Sequence, residues 1–96
     1  MKTKDEIIKI LRKNKSYLQK KYHVSEIGLF GSYSRNEQKQ NSDIDVLVSL
    51  KKPLGLEFVD LSEELETILD HKVDVVSKGA VKKRMFEAIK EEIVYV

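Results

Sequence analysis

Residues 27–50 read IGLFGSYSRNEQKQNSDIDVLVSL, and the fold is decided by how this stretch is interpreted. Residues 26–30 form an apolar strand, the chain turns at Gly31-Ser32, and a polar segment follows. A second strand then begins at Asp43 and runs to Leu50. Side chains at i and i+2 of a strand share a face. Asp43 and Asp45 therefore project together, while Ile44, Val46 and Val48 face the other way. Carboxylates entering a strand otherwise suited to burial are costly unless something pairs with them. A divalent cation such as magnesium is the obvious partner, because it takes carboxylate and substrate phosphate oxygens. Two such ions about 3.5–4 Å apart are the usual arrangement for in-line displacement at phosphorus. Gly31 lets the backbone approach a ligand, and Ser32 offers a hydroxyl and an N–H to a phosphate. A short helix after Ser32 would add further donors.

Composition sets the bounds. The chain has 96 residues, no cysteine and a formal net charge of +2. One small domain spanning residues 1–96 is expected, with a modest core. No disulfide, thiolate nucleophile or zinc–cysteine site is available. Met1-Lys2-Thr3-Lys4 is not followed by a long apolar run, so neither a signal peptide nor a membrane span is expected, and a cytoplasmic location is the default. The charge does not mark a nucleic-acid binder, and interleaved aromatics for base stacking are missing.

Thr3 and Glu6 form a capping box ahead of a helix over residues 4–22, with Ile7, Ile8, Leu11, Leu18 and Tyr22 at helical spacing. Lys9, Arg12, Lys13, Lys15, Lys20 and Lys21 give that helix a basic face, read as solvated or as a docking surface. With two histidines, His23 and His71, a histidine metal site is poorly supported, and both are assigned to loops or the surface. Tyr33–Gln40 is a short helix or an ordered loop. Ser42 caps a turn or contributes to nucleotide binding. Lys51–Gly55 breaks the second strand. A helix over 55–70 buries Phe58, Leu61, Leu65, Ile68 and Leu69 and exposes an acidic face. Lys72–Val76 is a third strand carrying a third anomalous acid, Asp74. A strand–helix–strand connection normally joins parallel strands, so Asp43, Asp45 and Asp74 would converge at one mouth. Ser77 is expected to cap a last helix over 79–94, with Val81, Met85, Ala88, Ile89 and Ile93 inward. Lys78, Lys82, Lys83 and Arg84 near its start oppose the helix dipole and hint at an anionic partner. Tyr95 is expected to be partly buried.

Gly31-Ser32, ten residues, then Asp43-Ile44-Asp45 resembles the active-site signature of the DNA polymerase beta-like nucleotidyltransferases. The fuller string Gly-Ser-Tyr-Ser-Arg followed by Ser-Asp-Ile-Asp looks like the minimal nucleotidyltransferases (MNT), over nearly the whole chain. Asn36 departs from the pattern, because many relatives have glycine after the arginine, but asparagine tolerates a left-handed backbone. The resemblance implies ATP as substrate, Arg35 reaching the triphosphate, and Asp74 as the third carboxylate. It further implies an antitoxin of the MntA type that transfers AMP to a tyrosine of a HEPN-domain ribonuclease toxin. In this reading two magnesium ions sit on Asp43, Asp45 and Asp74, while Gly31 and Ser32 hold the β- and γ-phosphates. The alternative is a non-catalytic module that neutralises its partner by contact. The expected architecture is α/β: a small mixed three-stranded sheet with four flanking helices, in the manner of the polymerase beta palm. Strands one and two are antiparallel, and helices leave one sheet face partly open.

Overall fold

The computed structural model describes residues 2–96. Helix α1 spans Lys4–Tyr22, strand β1 Val24–Phe30, strand β2 Ile44–Leu50, helix α2 Glu57–Leu69, strand β3 Val73–Ser77, helix α3 Lys83–Ile89 and strand β4 Val94–Tyr95. The four strands form one mixed sheet in the order β3-β2-β1-β4. β1 runs antiparallel to β2 and to β4, and β2 runs parallel to β3.

Local chemistry sets the ends of α1. The Thr3 side chain accepts from the Glu6 amide, and the Glu6 carboxylate accepts from the Thr3 amide in return. His23 closes the helix in the left-handed region at φ 58°. One face of the sheet carries Ile27, Leu29, Ile44, Val46, Val48 and Val73. It is covered by Ile7, Leu11, Leu18 and Tyr22 of α1 and by Leu61, Leu65 and Leu69 of α2. Each fully buried leucine or isoleucine there contributes about 1.5–3 kcal/mol of transfer free energy. The Tyr22 hydroxyl also donates to Glu64, tying α1 to α2. The Glu66 carboxylate accepts from the Val73 amide at 3.2 Å, which fixes the start of β3 against the end of α2.

Several expectations need correction. The sheet has four strands rather than three, because the last residues pair with β1 instead of ending a helix. The polar segment after Ser32 is a series of turns, so three helices are formed among the described residues. The last helix covers only Lys83–Ile89. Ser77 lies in β3 and does not cap it; Lys82 occupies the N-cap without a side-chain hydrogen bond. None of the residues of α3 is buried, and both Met85 and Ala88 are exposed. Tyr95 keeps 41% of its surface exposed.

The physical reason for the added strand and the shortened last helix is non-local. Without β4, the outer edge of β1 would be unpaired, an unfavourable state for backbone groups. Val94 and Tyr95 are good strand formers and take that edge opposite Leu29 and Gly28. Gly28 makes the approach possible: a Cβ there would lie 2.6 Å from Ile93 Cγ2. The helical spacing of Val81, Met85 and Ile89 is thus overridden on both sides of a short helix.

Candidate active site

β2 and β3 bring two acids side by side. In their parallel register Asp45 is the partner of Asp74, and Ile44 of Val73. The Ile44 amide donates to the Lys72 carbonyl at 3.0 Å, locking the two strand entries together. Adjacent strands lie about 4.8 Å apart, and partners in register share a face. Asp43 lies just before β2, near enough for its charge to act on Asp45. The three acids therefore line one mouth of the sheet, away from the core cluster.

β1 delivers the glycine turn to the same place. Its last residue, Phe30, pairs with Asp45, so Gly31 emerges directly beside that carboxylate. Gly31 adopts φ +76°, and a Cβ built there would stand 2.1 Å from Asp45 Oδ2 and 3.0 Å from its Cγ. Both the backbone conformation and the space exclude any larger residue. The Gly31 carbonyl then accepts from the Ser34 amide (3.0 Å), the Ser34 hydroxyl (2.8 Å) and the Arg35 amide (3.3 Å). The Ser32 carbonyl accepts from the Glu37 amide at 2.9 Å. Asn36 closes the turn at φ 57°, the left-handed geometry that asparagine accommodates in place of glycine.

Tyr33 anchors this turn. Its ring is fully buried, and its hydroxyl lies 3.3 Å from His71 Nε2. His71 precedes β3, so the contact ties the turn to the strand bearing Asp74. His71 serves as a packing partner in a loop, not as part of a histidine cluster. Ser42 is engaged locally: its hydroxyl accepts from the Lys39 amide at 2.9 Å, and its amide donates to the Lys39 carbonyl at 3.0 Å. That turn presents Asp43 at the entry to β2. Ser32 is half-buried where the glycine turn leaves β1.

Arg35 is the nearest cationic group on the turn, and two acids hold it. Its Nε donates to Glu37 Oε1 at 2.8 Å, and its Nη1 reaches both carboxylate oxygens of Glu92 at 3.0 Å. Glu92 also accepts from the Gly31 amide, at 2.5 Å. Glu92 is absent from the residues legible in the sequence. As one of a pair of glutamates in an expected surface helix, it carried no signal there. It reaches the mouth only because β4 docks on β1.

The electrostatics record this crowding. Burial pushes the Asp45 carboxyl up from 3.8 to about 6; the charges of Asp74, Asp43 and Glu92 add to the rise, and Arg35 opposes it. The donor set is all oxygen and its charges repel, and this is the imbalance that a hard divalent cation relieves. Asp43, Asp45 and Asp74 thus fit magnesium in chemistry. Among the described residues no three acidic or histidine side chains are drawn closely enough together to hold an ion as they stand. An apolar groove lined by Leu50, Phe58, Val76, Val81 and Met85 lies at the far ends of β2 and β3. It has no carboxylate in its lining, and Asp45 and Asp74 lie toward the other ends of these strands.

Acids at one mouth of a sheet, set against a glycine–serine turn, are the working parts of an enzyme that acts on phosphate esters or anhydrides. The nucleotidyltransferase domain model matches residues 5–96, and the chain belongs to that family: it is a nucleotidyltransferase. It is 48% identical over 98 residues to a Methanocaldococcus jannaschii protein whose name assigns it protein adenylyltransferase activity, covering 100% of both chains. It is 42% identical over 97 residues to the protein adenylyltransferase MntA of Thermococcus cleftensis, covering 100% of this chain and 98% of that one. A solved structure described as a minimal nucleotidyltransferase superposes with a TM-score of 0.78 at 28% identity, over 93% of this chain and 92% of that chain. A complex of tri-AMPylated Shewanella oneidensis HEPN toxin with MNT antitoxin matches with a TM-score of 0.62 at 27% identity, over 96% of this chain and 66% of that chain. The mixed α/β fold is that of the minimal nucleotidyltransferases, with one more strand than the sequence reading expected.

Proposed function

We propose that the protein is a cytoplasmic protein adenylyltransferase that transfers AMP from ATP to a tyrosine hydroxyl of a HEPN-domain ribonuclease toxin and so silences it as an antitoxin. The observation that carries this reading is the contact geometry of Gly31 and Asp45. A Cβ on Gly31 would stand 2.1 Å from Asp45 Oδ2, and Asp74 lies in register beside Asp45, so a turn without a side chain meets paired carboxylates, the combination that a metal-bound phosphate chain calls for. The names of the relatives supply the acceptor class.

In this mechanism the tyrosine oxygen attacks the α-phosphorus of ATP. The bond from that phosphorus to the bridging oxygen of the β-phosphate breaks, and pyrophosphate leaves. Asp74, the most exposed of the three acids, accepts the hydroxyl proton. The Gly31–Ser32 backbone and the Ser32 hydroxyl hold the β- and γ-phosphates, and Arg35 neutralises their charge. Ser42 keeps Asp43 at the entry to β2. Magnesium, when held by Asp43, Asp45 and Asp74, supplies charge neutralisation along the triphosphate.

Mass spectrometry of the partner toxin after incubation with this protein, ATP and magnesium tests the reading. One or more AMP adducts on a tyrosine, lost with Asp45→Asn, is the expected result. A silenced but unmodified toxin would instead establish neutralisation by contact alone.

A further inference from the structure

The Glu92 carboxylate is placed where an anion is useful but this particular anion is not. It makes three hydrogen bonds, one from the Gly31 amide and two from Arg35 Nη1. Those are donors of the glycine turn itself, next to Asp45. Yet Glu92 adds a negative charge to a mouth that already holds three, and its charge is among those that push up the Asp45 carboxyl. A brace between β4 and the turn could be built from any neutral acceptor. A carboxylate bridging a backbone amide and a guanidinium reproduces instead the way such donors hold a phosphate oxygen pair.

We propose that Glu92 is an internal stand-in for a nucleotide phosphate: it occupies the Gly31 and Arg35 donors in the nucleotide-free protein and must be displaced for the triphosphate to bind. This rests on the reading of the mouth as a triphosphate site. It adds a residue that sets nucleotide affinity, one that the catalytic acids and the glycine–serine turn do not reveal.

The surrounding main chain is suited to such an exchange. On the far side of Glu92 the backbone is held by pairing of Val94 with Leu29 and Tyr95 with Gly28. The Val96 amide donates to the Ile27 carbonyl at 2.9 Å, and Lys15 Nζ donates to the Val96 carbonyl at 2.6 Å. On the near side the Glu92 amide donates to the Ile89 carbonyl at 2.9 Å. Displacement therefore needs only the side chain to swing, and its 19% exposure opens a path to solvent. The released carboxylate recovers water, while Arg35 and Gly31 pass to the phosphate. The cost of the exchange appears as weaker apparent nucleotide binding, in proportion to how fully Glu92 holds the donors.

Calorimetric titration of the full chain with magnesium-ATP, and separately with magnesium and inorganic tripolyphosphate, tests this in wild type, Glu92→Gln and Glu92→Ala. Both variants are expected to bind both probes more tightly, by about tenfold if the donors are nine-tenths occupied. The gain should be the same for the two probes, because the contact concerns phosphate and not the base. Unchanged or weaker binding by variants that melt at the wild-type temperature would make Glu92 a brace and overturn the proposal. Glu92→Gln is isosteric and keeps the test open should Glu92→Ala fold poorly. The Gly31 amide resonance gives a second readout: it should move on Glu92→Gln and move again when nucleotide is added to wild type. A resonance indifferent to Glu92→Gln also overturns the proposal. Binding of neither probe by wild type or either variant would remove the triphosphate reading itself, and this inference with it.

Discussion

Helices α1 and α3 sit at opposite ends of the chain and obey different rules. α1 has 19 residues, a reciprocal capping box, a left-handed C-cap and four buried side chains. α3 has seven residues, a lysine at its N-cap with no side-chain bond, and no buried residue. Each nevertheless shows apolar residues at helical spacing in the sequence. What separates them is whether the local signals agree with one another and with a core to pack on. Around α1 the cap, the period and the buried face coincide. Around α3 the period competes with an open sheet edge, and the edge wins. The segment from residue 78 onward is held by a few contacts on a body that is otherwise complete, and the candidate site lies where segment and body meet.

The sharpest way to probe this division is to separate chemistry from folding. Asp45→Asn removes a site carboxylate from the body, and adenylyl transfer should fall by about a thousandfold, the scale of losing a main electrostatic group at a reacting phosphate. Its melting temperature should rise rather than fall, since Asp45 in its ionised form opposes folding.

Stability should divide the same way. Leu65→Ala empties a fully buried site between α2 and the sheet and should cost about 2–5 kcal/mol. Ile89→Ala in α3, half-buried at most, should cost well under that. Equal losses in denaturant titration would abolish the distinction between body and segment.

Gly28→Ala tests the seam itself. The new methyl would meet Ile93 Cγ2 at 2.6 Å and Tyr95 at 3.3 Å, and overpacking of this kind costs about 1–3 kcal/mol. Loss of hydrogen-exchange protection should be confined to residues 93–96 and their β1 partners, while α1 and α2 keep theirs.

The pH dependence follows from Asp45. Its folded pKa, about 6, lies above the unfolded value of 3.8, so the folded state binds the extra proton between them. Stability of the metal-free protein should therefore be greatest at or below about pH 4, as far as this group is concerned, and decline as pH rises to about 6. Thermal melts of Asp45→Asn should lack that decline, and magnesium should suppress it in wild type. The smallest effect expected is that of Thr3→Ala. It should cost about 0.5–1 kcal/mol, because the cap is exposed and serves α1 alone.

Much of the candidate site's arrangement was legible in the sequence. Asp43 and Asp45 stand out as acids in an apolar strand, and alternation alone puts them on one face. Asp74 repeats the anomaly, and the parallel pairing of β2 with β3 follows from the intervening helix. Even Asn36 could be read as a left-handed position. Arg35 was visible as a cation on the turn, but its pairing with Glu37 and Glu92 was not, because one partner lies 57 residues away. Glu92 itself was invisible, since a solvated glutamate and a glutamate hydrogen-bonded to the Gly31 amide look the same in sequence. The apparent last helix misled for a related reason: periodicity describes what a segment would do alone, not which open edge it will meet.

The sequence by itself determined α1, β1, the two strands that bring in the acids, the glycine turn and the family, because each depends on spacing within a few residues. Tertiary structure decided the fourth strand, the short α3 and the arrival of Glu92 at the mouth. Those outcomes depend on the free edge of β1, on the absence of a Cβ at Gly28, and on donors of the Gly31 turn that exist only once the sheet has formed.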